Sequence, residues 1–231
     1  MQAWKPAWIT IGLIASAIGV AGCGQKTAPP PTAREVIMEA RAAALSAHSV
    51  DIVYTASEGQ DRIALDETFD GKGDSINTVY QNGTQVSSLL ANHTVYFKIS
   101  PTVLAFYQEP ATLCPEDCGK YIAAPTSRQQ QLRGQMSIAY GVSRIVKNVP
   151  TAAANYRGLK LRKAVVSGVP SLCVTGRKLP IPARICVTAN GSPRFTEIRW
   201  TGNTVTQVLF THWNSVPPIQ APPSSEILTE F

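Results

Sequence analysis

The chain has 231 residues, of which 44% are hydrophobic and 16% are charged, with 17 prolines and 16 glycines. This composition is typical of a folded protein and excludes both a disordered chain and a collagen-like repeat. The formal charge of +6 is modest and dispersed. No apolar run of about 18 residues follows the N-terminal segment, which excludes a protein with several membrane-spanning helices.

Residues 1–22 have the pattern of an export signal. Lys5 supplies a positive charge, and Ile9 to Val20 is an apolar stretch of 12 residues, which suits a signal peptide but is too short to cross a bilayer comfortably. The stretch ends in Val20-Ala21-Gly22-Cys23, which resembles the lipobox of bacterial lipoproteins. The resemblance implies cleavage before Cys23, acylation of its thiol and anchoring to the outer face of the cell membrane. An ordinary secretory signal is the alternative.

The segment after Cys23 predicts a spacer. Gly24 to Thr32 has no apolar periodicity and contains three consecutive prolines, a composition that favours an extended, semi-rigid chain. We therefore expect a signal peptide over residues 1–22, a lipidated cysteine and tether over residues 23–32, and a single domain over residues 33–231.

Four cysteines remain when Cys23 is set aside, and an even number in an exported protein indicates disulfides. We favour Cys114–Cys118, which can close locally, and Cys173–Cys186, which lie on two strand-like segments around a proline-containing loop. Free thiols and a zinc site with four thiolates are the alternatives, but the gaps fit no common zinc motif well. No cofactor is expected.

The first element of the domain is a predicted helix. Thr32 and Glu35 have the spacing of a capping box, in which a hydroxyl and a carboxylate exchange hydrogen bonds with the first turn. Apolar residues then recur at helical spacing, which predicts a helix over Ala33 to Ala47 packed against a sheet.

Alternating patterns after the helix predict an antiparallel meander of five strands. Val50, Ile52 and Tyr54 alternate with polar or smaller residues, and similar runs follow at intervals of about nine to twelve residues. Turn signals separate these runs, and Asn82-Gly83 is the strongest because its turn type needs two positive φ angles.

The second half of the chain predicts a helical insert and a second set of strands. Pro101 to Thr126 breaks the alternation, and Ser127 to Val149 regains helical spacing, which Gly134 and Gly141 weaken. Five strand-like segments follow between Leu159 and Thr211, and the proline-rich tail from Pro217 is expected to be extended and to end the fold. The pattern as a whole predicts a single α+β domain.

Residues with catalytic or nucleic-acid-binding chemistry are few. The three histidines, His48, His93 and His212, show no metal-ligand spacing, and no serine lies in a sharp nucleophile turn. Asp66, Glu67 and Asp70 cluster on one hairpin, where we expect solvated charges. The basic strand around Lys160, Arg162 and Lys163 is expected to block edge pairing or to face anionic lipid, not nucleic acid. We therefore expect no enzyme.

Several short segments are similar to a known family. They are Ser49-Val50-Asp51-Ile52 after the first helix, Asp66 to Gly73, His93-Thr94-Val95-Tyr96-Phe97-Lys98, Trp213-Asn214-Ser215-Val216 and Gln220-Ala221-Pro222. With the lipobox and tether, they resemble actinobacterial lipoproteins of the LppX/LprG type, which share the fold of the periplasmic lipoprotein carrier LolA. The resemblance implies a curved antiparallel sheet, an incomplete β-barrel, with helices against its concave face.

The same resemblance implies a function. Some members of the family hold acyl chains of lipids or glycolipids in the apolar hollow between sheet and helices, so a membrane-anchored lipid-binding lipoprotein is expected. The candidate lining residues are the inward-facing apolar side chains of the strands: Ile52, Ile63, Leu65, Val95 and Phe97. The alternative is an interaction or structural lipoprotein of the envelope with a filled core and no ligand. Its protein partners are unknown.

Overall fold

The computed structural model describes residues 30–58, 61–109, 111–114, 116–176, 184–202 and 204–229. The predicted signal peptide, Cys23 and the tether up to residue 29 lie outside these residues. The chain from Pro31 to Phe231 forms one compact unit. No helix among the described residues is long and apolar enough to cross a bilayer.

Four α-helices and twelve strands make up the described part of this unit. The helices are α1 (Ala33–Leu45), α2 (Pro101–Tyr107), α3 (Thr126–Gln135) and α4 (Ile138–Val146). The first strands are β1 (Val50–Glu58), β2 (Asp61–Phe69), β3 (Ser75–Gln81), β4 (Thr84–Ala91), β5 (Thr94–Lys98) and β6 (Tyr121–Ala123). The remaining strands are β7 (Arg162–Val166), β8 (Val169–Thr175), β9 (Arg184–Thr188), β10 (Phe195–Trp200), β11 (Val205–Thr211) and β12 (Ile227–Leu228).

All twelve strands belong to one sheet in the order β12-β6-β5-β4-β3-β2-β1-β11-β10-β9-β8-β7. Neighbours are antiparallel, except that β12 runs parallel to β6. β1 pairs with both β2 and β11, so it joins the early meander to the late one. The two end strands, β12 and β7, do not pair with each other, so the sheet of the described residues is open. The α+β class and the open antiparallel sheet predicted from the sequence are confirmed.

Helix α1 anchors the main core on one face of this sheet, which we call the inner face. The predicted capping box is present, because the Thr32 side chain accepts from the Glu35 amide and the Glu35 carboxylate accepts from the Thr32 amide. α1 buries Val36, Ile37 and Ala40 and packs against α4, β9 and β10. Each large apolar side chain fully buried in this way contributes about 1.5–3 kcal/mol.

The helical spacing predicted over Ser127 to Val149 corresponds to two helices in the structure, α3 and α4. The chain leaves the helical conformation at Ser137, whose φ of −80° and ψ of 146° are extended. The Ser137 hydroxyl accepts from the Tyr140 amide at 3.3 Å and caps α4. This local hydrogen bond starts a new helix in the middle of an otherwise helical pattern.

The predicted end of the fold at the proline-rich tail is wrong. The Ile219 amide donates to Asp70 Oδ2 at 2.9 Å, which fixes the tail to the turn after β2. The chain then continues to β12, which extends the sheet beyond β6. The pairing partner, β6, lies about a hundred residues earlier, so no local pattern indicates this contact.

Both disulfides join the pairs that the sequence favours. Cys173 and Cys186 stand directly opposite each other on β8 and β9. The neighbouring residue Ile185 belongs to the main core on the inner face. Because successive strand residues point to opposite faces, Cys186 lies on the outer face, where Val166 packs against the disulfide.

Gly141 of α4 lies where a side chain would collide with the core. A Cβ atom at this position would stand 2.5 Å from Cζ of Phe69, whose ring is fully buried. We expect Gly141→Ala to lower the free energy of unfolding by about 2 kcal/mol, because overpacking outweighs the gain in helix propensity.

The matched control for this substitution is Gly134→Ala in α3, where a Cβ would meet nothing within 4 Å. This variant should gain about 0.5 kcal/mol from helix propensity. Urea unfolding of the two variants measures the difference. Equal effects would contradict the close packing of α4 on Phe69.

Candidate functional site

A cleft of about 620 Å³ lies between α4 and the inner face of the sheet. We call it the inner cleft. The sheet contributes Tyr54, Leu65, Trp200 and Thr206, and the helix side contributes Arg144, Ile145, Lys147 and Asn148. The volume falls within the range of about 300–1,000 Å³ that is usual for small-molecule sites.

Strand register brings the sheet side of the inner cleft together. Tyr54 of β1 is directly opposite Leu65 of β2, and Thr206 of β11 is directly opposite Trp200 of β10. Directly paired residues of antiparallel strands point to the same face. Two aromatic rings and one leucine therefore form most of a continuous apolar floor beside the main core.

The end of α4 forms the other wall of the inner cleft. Ile145 is buried and faces the sheet, while Lys147 and Asn148 at the helix end are exposed. The Asn148 side-chain amide donates to the Arg144 carbonyl at 3.2 Å, which satisfies one carbonyl of the last turn. The cleft thus changes from apolar at its floor to polar and cationic at its opening.

Arg144 forms an ion pair with Glu67 at the inner cleft. The Glu67 side chain is 3% exposed and that of Arg144 is 30% exposed. Burial raises the pKa of Glu67 above its usual value, although the Arg144 guanidinium opposes the shift. Arg144 Nε is buried and has no hydrogen-bond partner among the described residues, so this guanidinium has an unused donor.

The prediction that the carboxylates of this hairpin are solvated is wrong for Glu67 and Asp70. Glu67 points to the inner face with Leu65, two residues away on the same strand. Asp70 is fully buried, and it accepts from the amides of Lys72, Asp74 and Ile219. Asp70 therefore organises a turn and the tail, whereas Glu67 is buried behind the inner cleft and pairs with Arg144 of its lining.

The five predicted lining residues occupy different places in the structure. Leu65 lines the inner cleft. Ile63 lies two residues before Leu65 on β2 and is 38% exposed. Ile52 is 0% exposed within the main core. Val95 is buried in a second, smaller cluster, against which Phe97 packs.

Sequence reasoning did not place Trp200, Thr206 and Arg144 at the site. Trp200 and Thr206 each lie within a predicted strand, so alternation marks them as strand residues, but the face that they share depends on the pairing of β10 with β11. Arg144 lies within the predicted helical segment, and its contact with Glu67 spans 77 residues. No local signal reports that contact.

A second recess, of about 660 Å³, lies near the β1–β2 hairpin, mostly on the outer face. Its lining includes Arg62, Gln81, Asn82, Arg199 and Gln207, and is more polar than that of the inner cleft. All of its lining residues within the described ranges lie on strands or turns and none on a helix. We therefore take the inner cleft as the candidate site.

The histidines show no metal centre. His212 Nδ1 lies 2.6 Å from Asp51 Oδ2 in an exposed pair. Across the described ranges, no group of three or more His, Cys, Asp or Glu side chains is placed to hold a metal ion.

Comparisons with known proteins find similar folds only among solved structures. No protein-family model matches the chain, and no curated protein matches it. LprF from Mycobacterium bovis is similar at 13% identity with a TM-score of 0.47, over 82% of this chain and 95% of that chain. The lipoprotein LppX from Mycobacterium tuberculosis is similar at 13% identity with a TM-score of 0.46, over 81% and 97%. An uncharacterized conserved protein from Thermus thermophilus is similar at 8% identity with a TM-score of 0.33, over 85% and 98%.

Proposed function

We propose that this protein is an exported lipoprotein of the cell envelope that binds a lipid in the inner cleft. The observation that carries the proposal is the composition of the cleft, in which Tyr54, Leu65 and Trp200 form an apolar floor beneath a cationic opening. An apolar site with a few converging polar groups is the usual design of a small-molecule pocket. An amphiphile with one acyl chain matches this arrangement.

The apolar floor and the cationic opening of the inner cleft bind different parts of the ligand. The acyl chain lies against the aromatic rings and Ile145, where it is removed from water. The polar headgroup lies at the opening, near Arg144 and Lys147. An anionic headgroup fits best, because Arg144 and Lys147 bring two positive charges to the opening and Glu67 neutralises only one of them.

Membrane anchoring by Cys23 is a separate part of the proposal and depends on the lipobox. Two or three acyl chains hold a protein on a bilayer stably, whereas one holds only marginally. Mass spectrometry of protein extracted from membranes should find an N-terminal peptide that begins at acylated Cys23. A peptide that begins elsewhere, or an unmodified Cys23, would contradict the anchor without touching the cleft.

Filling the inner cleft should prevent lipid binding. Thr206 is half-buried on the floor of the cleft, and Thr206→Trp places an indole where the acyl chain would lie. We expect the affinity for a fluorescent fatty-acid probe to fall at least about tenfold, which corresponds to about 1.4 kcal/mol. Fluorescence titration of the purified full chain measures this effect, and native mass spectrometry reports co-purified lipid.

The matched control is Val53→Trp, which adds the same ring to an exposed outer-face position beside Tyr54. This variant should bind the probe as the unchanged protein does. If both tryptophans weaken binding equally, the site is not the inner cleft. If the protein carries no lipid and binds no probe, the alternative of an envelope interaction protein with a filled core replaces the proposal.

A further inference from the structure

A cationic surface lies where the chain enters the domain, away from the inner cleft. Five exposed cations belong to it, and we call them together the basic patch: Arg34, Arg157, Lys160, Arg162 and Lys163. Arg34 is in the first turn of α1, and the other four lie in the segment that leads into the edge strand β7 and at its start.

A recess of about 570 Å³ lies in the middle of the basic patch. Arg34, Arg157 and Lys160 line it together with the apolar side chains of Leu159 and Leu161. Cations that surround apolar side chains match the interface of a bilayer, where phosphate groups lie above acyl chains.

The described residues balance only a small part of the positive charge of the basic patch. Within the part of the chain that the structure describes, none of the five cations forms an ion pair. Arg34 donates from Nε to the Thr151 carbonyl at 3.2 Å, and the nearby carboxylate of Glu35, which Thr32 holds in the capping box, balances part of its charge. The patch therefore offers mainly the charges of its other four cations to an external partner.

A further cation, Arg41, lies close to the basic patch. The pKa of Tyr156 is raised to about 12 by burial, and the nearby guanidiniums of Arg34 and Arg41 oppose the shift, which places both close to this residue. Arg41 Nε is buried without a hydrogen-bond partner in the described residues. The region around Tyr156 thus contains two guanidinium groups and one buried donor that has no acceptor among the described residues.

The edge strand adds an exposed apolar side chain to this surface. Val165 of β7 is 69% exposed, the largest value among the exposed large hydrophobic residues of the described chain. It lies on the same face of the strand as Lys163, two residues away, whereas Arg162, which is paired with Cys173, lies on the outer face, so the two cations flank the strand's free edge. β7 is also the last strand in the sheet order, so its second edge pairs with no strand of the described residues.

The first described residues of the domain lie at this recess and point to the partner of the basic patch. Pro31 itself lines the recess, and Cys23 lies only eight residues earlier in the sequence. Eight residues span at most about 29 Å. An anchor at Cys23 therefore holds the recess within this distance of the membrane.

We propose that the basic patch docks the domain onto an anionic bilayer surface, with Val165 inserted at the headgroup level and the cations on lipid phosphates. The proposal rests on the membrane attachment described above. In the docked state β7 faces the membrane, and the orientation of the domain is fixed by two contacts, the anchor and the patch.

The test uses the full chain anchored in lipid nanodiscs, with an environment-sensitive fluorophore on Val165→Cys. One set of nanodiscs contains only phosphatidylcholine, and the other contains phosphatidylcholine with phosphatidylglycerol. We expect brighter, blue-shifted emission only with the anionic lipid, and we expect about 0.5 M NaCl to remove the difference, because salt screens such contacts. The same fluorophore on Ser127→Cys of α3 should show no difference.

Charge variants identify the residues that dock. In the variant Arg157→Gln/Lys160→Gln/Arg162→Gln/Lys163→Gln, the ratio of docked to undocked protein should fall about five-fold for each cation removed. The control Lys72→Gln/Arg128→Gln removes exposed cations elsewhere and should leave docking unchanged.

Two outcomes would overturn the proposal: equal emission in both kinds of nanodisc, or equal loss of docking in the control variant. Displacement of the fluorophore's docked signal by soluble inorganic phosphate would assign the recess to a small anion instead of a bilayer. A chain that does not enter nanodiscs at all contradicts membrane attachment instead, so the two failures are distinguishable.

Discussion

Replacing Arg144 by methionine is expected to lower the free energy of unfolding by about 3 kcal/mol at neutral pH. The methionine preserves most of the apolar contacts of the arginine stem but leaves the Glu67 carboxylate buried without its partner. Removal of one member of a buried ion pair is costly because the remaining charge is neither solvated nor paired. Urea unfolding, monitored by circular dichroism, measures the loss.

The double variant Glu67→Leu/Arg144→Met is the control for this prediction. It removes both charges and should unfold with a free energy close to that of the unchanged protein, because a well-packed apolar pair often replaces a buried ion pair without loss. A double variant as unstable as Arg144→Met would show that the arginine acts through packing and not through the carboxylate.

The pH dependence of the Arg144→Met penalty follows from the raised pKa of Glu67. An acid whose folded pKa is above its unfolded pKa binds its proton more tightly in the folded state. Its contribution to stability is present below the usual value of 4.5 and is lost as the pH rises through the raised pKa. Loss of the Arg144 charge raises the pKa further, so the penalty should shrink in acid as Glu67 becomes neutral.

Local patterns predicted the parts of the fold that depend on neighbouring residues. The capping box of Thr32 and Glu35 begins α1 as expected. Apolar alternation along β1 and β2 agrees with their hairpin, in which Tyr54 faces Leu65. These features need only the 3.6-residue and two-residue periods of helices and strands, which a sequence displays directly.

Contacts between segments that are distant in the sequence could not be predicted from local patterns. Glu67 is buried because a helix 77 residues away places Arg144 beside it, and the hairpin alone makes it look like a solvated charge. The floor of the inner cleft exists because β1 pairs with β11, which brings Tyr54 next to the strand that carries Thr206. By contrast, α2 had a local signal that the interpretation missed: Ser100 caps the helix and Pro101 occupies its first turn.

Removal of the Cys173–Cys186 disulfide is the second large effect that we expect. Cys173→Ala/Cys186→Ala should lower the free energy of unfolding by about 3 kcal/mol, since the bridge closes a loop with a sequence separation of 13 and restricts the unfolded chain. Cys114→Ala/Cys118→Ala is the comparison, because its separation of 4 predicts a loss smaller by about 1 kcal/mol. Urea unfolding under non-reducing conditions measures both losses.

The same variant separates stability from binding. The Cys173–Cys186 bridge lies on the outer face of the sheet, whereas the inner cleft is formed by side chains on the opposite face. Cys173→Ala/Cys186→Ala should therefore keep the probe affinity of the unchanged protein below its unfolding transition. A loss of affinity comparable to that of Thr206→Trp would mean that the bridge shapes the inner face. The proposed ligand site on that face would then have to include β8 and β9.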